Sequence, residues 1–269
     1  MPIGVFDSGL GGLTILGRLQ AALPGQDFLY LGDNANAPYG VRGAREIFDL
    51  TARGCEALFV RGCTLVILAC NTASAVALRQ MQEFWVPADR RVLGVFVPMI
   101  ETIIARPWAL RGPAVPSPVR DIALFATPAT VDSGAFTREL VLRAHGARVL
   151  EVPCPGLVDA LETGDAAAAG AVVVRAVGWA LQGMPAPQVV ALGCTHYPLA
   201  RGAFARALPA GTRILSQGDV VAASLGDYLG RHPQFAGTGE SRYLTTGDPA
   251  AVGAAAKRLL GSDLPFHRA

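Results

Sequence analysis

Lysine is almost missing from this 269-residue chain: of 23 basic residues only Lys257 is one, and Arg258 follows it. A pyridoxal phosphate enzyme needs a lysine for its Schiff base, and a phosphate-binding P-loop needs Lys followed by Ser or Thr, so both readings are poor. Cys-x-x-Cys pairs are absent too, and the five cysteines, Cys55, Cys63, Cys70, Cys154 and Cys194, form an odd set without the spacing of a disulfide framework. Charge is sparse, at 16% of residues and net +2, and the arginines are scattered without a run, which removes the electrostatic footprint of a nucleic-acid binder. Long apolar runs are lacking as well. The most apolar stretch, Ala166 to Val174, stops at Arg175, well short of the roughly 20 residues that cross a bilayer, so no membrane segment is expected. Met1-Pro2-Ile3-Gly4 begins a strand rather than a signal peptide, and a cytoplasmic protein with reduced thiols is the expectation.

What is present is 51% hydrophobic residues, enough for a sizeable core. Apolar strands alternate with amphipathic helices almost from end to end, which predicts an α/β protein with mainly parallel sheets. Strands are predicted near 3–6, 28–31, 65–68, 92–95, 122–125, 149–152, 189–192 and 213–215, and helices near 13–22, 44–61, 72–85, 133–144, 166–181, 199–208, 220–229 and 250–259. One compositional break, Arg106 to Arg120, carries Pro107, Pro113, Pro116 and Pro118 and reads as a surface loop near a domain junction. The resulting expectation is two similar α/β domains around a shared cleft: residues 1–97 with 213–269, and residues 98–212.

Two segments read as versions of one another. Ala69-Cys70-Asn71-Thr72 follows the apolar run Leu65-Val66-Ile67-Leu68, and Gly193-Cys194-Thr195-His196 follows Gln188-Val189-Val190-Ala191-Leu192. Each thiol is predicted at the C-terminal mouth of a parallel strand, where open α/β sheets bind ligands. A free cysteine is more often a small buried apolar residue, a reading that fits Cys55, Cys63 and Cys154. Cys70 and Cys194 differ in their Asn, Thr and His neighbours. Helix amides or a nearby His lower a thiol from its ordinary pKa of about 8.5, and His196 is the natural helper. Two thiols facing one crevice can take a proton from one face of a carbon and return one to the other, inverting a stereocentre. A zinc site of Cys70, Cys194 and His196 lacks a clear fourth ligand, and a single acyl-transfer nucleophile would not require the second thiol.

Three loops add polar groups at strand ends. Asp7-Ser8-Gly9-Leu10-Gly11-Gly12 opens the first helix, where its amides can approach an anion. The loop Gly32 to Gly40 offers the Tyr39 phenol and the Gly40 amide. In Thr127 to Ser133, helix capping is expected of Asp132 or Ser133, and ligand contact of Thr127 and Thr130.

These stretches, with Cys154-Pro155, Glu162 and Tyr197-Pro198, resemble the bacterial glutamate racemases of the cofactor-independent, two-cysteine type, in order over most of the chain. The resemblance implies that Cys70 works on D-glutamate and Cys194 on L-glutamate, as thiolate base and thiol acid, with no cofactor and no metal. It implies that Asp7 assists Cys70, that His196 and Glu162 assist Cys194, and that Ser8, Tyr39, Gly40, Asn71, Thr72, Thr127, Thr130 and Thr195 hold the ammonium and carboxylates. A homodimer supplying D-glutamate to the cell wall is the implied setting. Departures from the family are Val97 in place of Glu, Phe136 in place of Tyr, a longer proline-rich stretch, and Gln217-Gly218-Asp219 in place of a late acidic motif. The rival readings are a racemase for aspartate or another acidic amino acid, and a binding module on the same fold that has lost turnover.

Overall fold

Strands with both faces buried set the architecture of the computed structural model, which describes every residue except Ala109, Arg111 and Ala236. In chain order the strands are β1 (Ile3–Asp7), β2 (Phe28–Gly32), β3 (Leu65–Leu68), β4 (Arg91–Gly94), β5 (Val115–Pro116), β6 (Asp121–Ala126), β7 (Ala144–His145), β8 (Arg148–Pro153), β9 (Val189–Gly193), β10 (Arg213–Leu215), β11 (Ser241–Thr245) and β12 (Phe266–Arg268). One sheet has the order β12-β11-β2-β1-β3-β4 and a second the order β10-β9-β6-β8, with every pairing parallel. Ile3, Val5, Phe28, Tyr30, Leu65 and Ile67 enter one core cluster, whereas Phe6, Leu29, Leu31, Val66 and Leu68 enter another on the opposite face. In the second sheet, Ala123 and Phe125 likewise separate from Ile122, Leu124 and Ala126. Helices cover both faces, so these strands appear in the sequence as unbroken apolar runs.

Several elements depart from the expected pattern. β10, placed with residues 213–269 in the first domain, pairs with β9 in the second sheet. The chain returns through the helix Gln217–Gly230, which packs on the helix Leu13–Ala22. β11 and β12 were not anticipated, nor was the helix Phe96–Ile103, whose Met99, Ile100 and Ile103 pack with Ile122, Leu124, Phe136 and Leu140. The expected helix 72–85 is two helices, Asn71–Val76 and Leu78–Phe84, and the expected helix 133–144 gives way to Pro128–Asp132 and Ala135–Val141, separated at the left-handed Gly134 (φ 58°). The helix Ala166–Gly183 is long and apolar enough, by length and composition, to cross a membrane, contrary to the estimate from Ala166 to Val174. Its Ala169, Val173, Ala176, Val177 and Ala180 pack into the core of the second sheet. In the proline-rich stretch, where Ala109 and Arg111 lie outside the described residues, the Arg106 guanidinium donates to the carbonyls of Leu110, Gly112, Pro113 and Arg143.

Each main sheet has one place where the chain reverses its direction of winding. From β1 the chain adds β2 on one side and β3 on the other; from β6 it adds β8 on one side and β9 on the other. Crevices at the carboxyl ends of such strands are the ligand sites of open α/β sheets. Asp7 ends β1 and Cys70 lies two residues beyond β3, while Thr127 follows β6 and Cys194 follows β9.

Candidate active site

Cys70 occupies the N-cap of the helix Asn71–Val76, and its Sγ accepts from the Ala73 amide at 3.4 Å. Ser8 Oγ lies 3.2 Å from the same sulfur. Burial pushes the Cys70 thiol up to about 12, the Asp7 charge adds to the rise, and the Ser8 and Ala73 hydrogen bonds oppose it. Asp7 is itself buried and accepts from the Gly9 amide at 3.0 Å, so this glycine loop turns one of its donors toward its own carboxylate. Burial holds the Asp7 carboxyl above its usual range, against the lowering influence of His196 and of the Gly12 and Gly9 amides. Among the described residues, Asp7 Oδ1 is a buried polar atom without a hydrogen-bond partner.

On the facing side, Cys194 Sγ lies 4.0 Å from His196 Nδ1, and His196 Nε2 lies 2.8 Å from Glu162 Oε1. The second contact is an ion pair that is poorly aligned as a hydrogen bond, since Nε2 has no partner of good hydrogen-bond geometry among the described residues. Burial opposes the imidazolium, yet Cys194 and Glu162 together lift His196 from 6.5 to about 10. A raised folded pKa stabilises the protein fully below 6.5 and loses that contribution as pH rises toward 10. The gap in Tm between the wild type and His196→Asn is therefore expected to be widest at pH 6.5 and below and to close by pH 10. Thermal scans across that range check this, and a gap that stays constant would refute it.

Hydroxyls and amides line much of the remaining walls, beside Pro38, Val41, Pro128, Val158 and Asp159. Thr72 Oγ1 and Thr127 Oγ1 are 3.0 Å apart, and Thr130 Oγ1 lies 2.9 Å from Thr127 Oγ1 and donates to Thr72 Oγ1 at 3.3 Å. Thr127 caps the helix Pro128–Asp132, and Ser133 Oγ accepts from the Ala135 amide that opens the following helix at 3.2 Å, as expected of the capping reading. Tyr39 donates its phenol proton to Asp33 Oδ2 at 2.6 Å, and Asp33 Oδ1 also accepts from Thr246 Oγ1 at 2.6 Å. Gly40 leaves no room for a Cβ, which would meet Thr127 Cβ at 2.8 Å.

Ser8, Tyr39, Gly40, Cys70, Asn71, Thr72, Thr127, Glu162, Cys194, Thr195 and His196 all border one cavity of about 70 Å³. Asp7 and Thr130 stand behind this wall rather than in it. Cys154, which the sequence assigns to structure, borders the cavity as well. Three contributors escaped sequence reasoning: Asp33 behind Tyr39, Tyr30 donating to the Gly9 carbonyl at 2.9 Å, and Gln217 paired with Asn71. A larger cleft of about 640 Å³, bordered by Gly94, Phe96, Trp108 and Arg143, contains neither site cysteine. Among the described residues no cluster of His, Cys, Asp and Glu stands where it could hold a metal ion.

No protein-family model matches the chain. It is 54% identical to the glutamate racemase of Paracoccus denitrificans over 270 residues, covering 100% of both proteins. Its structure is similar to that of glutamate racemase isoform RacE1 from Bacillus anthracis, with a TM-score of 0.88, 27% identity, and coverage of 100% of this chain and 97% of that one. The Francisella tularensis glutamate racemase, solved in complex with D-glutamate, matches with a TM-score of 0.86 and 26% identity over 100% of this chain and 97% of that one. Full-length identity at this level, on the same two-sheet architecture, shows that the chain belongs to the glutamate racemase family, enzymes that interconvert L- and D-glutamate.

Proposed function

We propose that this racemase inverts glutamate by proton transfer between two thiols, without a cofactor, and so supplies D-glutamate for peptidoglycan. The carrying observation is that Cys70, beyond β3 of the first sheet, and Cys194, after β9 of the second, border one cavity together with Ser8, Tyr39, Asn71, Thr72, Thr127, Thr195 and the His196–Glu162 pair. In one direction the Cys194 thiolate removes the α-proton of L-glutamate. The C–H pair stays on the α-carbon, delocalised into the carboxylate, and an S–H bond forms at Cys194. The Cys70 thiol then gives its proton to the opposite face, producing D-glutamate and a Cys70 thiolate. The reverse direction exchanges these roles.

Asp7 serves the Cys70 side, and the His196–Glu162 pair serves the Cys194 side. Ser8, Tyr39, Gly40, Asn71, Thr72, Thr127 and Thr195 bind the ammonium and carboxylates, with Thr130 fixing the two threonine hydroxyls from behind. Fixed hydroxyls and amides stabilise negative charge that grows during the reaction without needing to reorganise. The sole lysine, Lys257, is committed on the surface to Asp263 at 2.9 Å, which leaves no lysine in the site for a Schiff base. A complex with D-glutamate in the Francisella relative supports glutamate as the substrate. The test is racemisation of L-glutamate in deuterated water with no cofactor added. D-Glutamate carrying α-deuterium is expected; product retaining its α-protium would overturn the two-base reading.

A further inference from the structure

We infer that Gln217 is a positioning residue for the Cys70 half of the reaction, acting through Asn71; this rests on the two-thiol reading above. Asn71 Nδ2 donates to Gln217 Oε1 at 2.9 Å, and Gln217 Nε2 donates back to Asn71 Oδ1. Gln217 and Asn71 are only 1% and 3% exposed, so neither amide can replace the other with bulk water. The pair spans 146 positions of sequence and crosses between the two sheets. Gln217 opens the helix Gln217–Gly230 directly after β10 of the second sheet, whereas Asn71 is the first residue of the helix that follows β3 of the first.

Each carboxamide has two N–H donors and one oxygen acceptor with two lone pairs. Gln217 engages one donor and one lone pair of Asn71, leaving the others available to the cavity that Asn71 borders beside Ser8 and Cys70. Clamping the side chain at the first helical position also restrains the neighbouring N-cap, whose Cys70 sulfur is anchored on Ala73 N–H. Proton transfer is sensitive to displacements of this kind, since a misplacement of about 1 Å can cost roughly 100-fold in rate.

Equal free energies of the two enantiomers force any variant to change kcat/KM by the same factor in both directions. Isotope effects, by contrast, report which thiol is impaired. Gln217→Met keeps the side-chain length and removes both hydrogen bonds, and kcat is expected to fall roughly 10- to 100-fold with KM nearly unchanged. The α-deuterium isotope effect on kcat/KM should rise with D-[2-²H]glutamate, because abstraction by Cys70 becomes more fully rate-limiting. It should fall with L-[2-²H]glutamate, because abstraction by Cys194 then precedes the slow step. Asp219→Asn, in the same helical turn as Gln217, is the control, since it removes only an exposed ion pair with Arg18 of the helix Leu13–Ala22, and it should leave rates and isotope effects unchanged. Should Gln217→Met fail to fold, Gln217→Asn carries the same test, with the same isotopic asymmetry expected. The inference is overturned if both isotope effects stay at wild-type values, if the asymmetry is reversed, or if the lost activity matches a lost folded fraction. A wild-type enzyme that fails the deuterated-water test would instead overturn the function itself, so the two failures are distinguishable.

Discussion

Cys70→Ser and Cys194→Ser are each expected to lose roughly 10²- to 10⁴-fold in racemisation, the scale of one positioned general acid or base, while each retains half of the chemistry. Serine is a preferred N-cap residue, so the helix Asn71–Val76 should keep its start when Cys70 is replaced. With Cys194 intact, Cys70→Ser should still exchange the α-proton of L-glutamate with solvent. With Cys70 intact, Cys194→Ser should exchange that of D-glutamate. Loss of the α-proton signal in deuterated water, followed by NMR for each pure enantiomer, reads both half-reactions separately. Near-wild-type racemisation by either variant would refute the two-thiol mechanism, and exchange on the opposite enantiomer would reverse the assignment of faces. The two sulfurs have different environments. Burial and the nearby Asp7 charge raise the Cys70 thiol above its ordinary pKa, whereas Cys194 has the His196 imidazole at 4.0 Å.

The parts of this arrangement that the sequence carries locally were legible in it. β1, β2, β3, β6 and β9 are buried along nearly their whole length, so each stands out as an apolar run, with Cys70 two residues beyond the end of β3 and Cys194 immediately after β9. β11 and β12 were hidden because only Tyr243, Thr245 and Phe266 among their residues are buried, and one of those is polar. The helix Phe96–Ile103 begins one residue after β4 and holds Pro98 in its first turn, so in the sequence it merges with the apolar run that starts at Val92, although Phe96, Met99, Ile100 and Ile103 recur with a helical period. Whether β10 joins the first or the second sheet depends on its pairing with β9, which no local pattern encodes. The same limit governs the site. Ser8, Tyr39 and Thr127 lie near strand ends and could be found there, but Asp33 depends on Thr246, 213 residues away, and Gln217 on Asn71, 146 residues away. Thr130 follows a strand end, where ligand contact is the natural reading; its contact with Thr127 is local, whereas its donation to Thr72 forms only once the two sheets are brought together.

Gly11→Ala is expected to cost roughly 100-fold in kcat, the scale of a reacting group misplaced by about 1 Å, with the fold retained. Gly11 does not occupy the left-handed region, so alanine fits its backbone without strain, and the effect must come from space alone. That space is taken by the facing domain: a Cβ at this position would overlap Thr195 Oγ1 and come within 2.5 Å of His196 Nδ1 and 2.6 Å of His196 Cε1. Neither neighbour can simply swing away. The carbonyls of Gly11 and Thr195 share the Thr14 hydroxyl at 2.8 and 3.0 Å, and His196 is held on its other side by Glu162. The added methyl therefore displaces the imidazole from Cys194 or separates the two walls of the cavity, and either outcome lengthens the path between the thiols. Because the change lies at a surface between domains and not inside either sheet, Tm should fall by only a few degrees while kcat collapses. The α-deuterium isotope effect should shift opposite to that of Gln217→Met, rising with L-[2-²H]glutamate as the Cys194 step becomes limiting. An alanine variant with kcat within twofold of the wild type would show that the approach of Gly11 to His196 does not control the geometry of the Cys194 side.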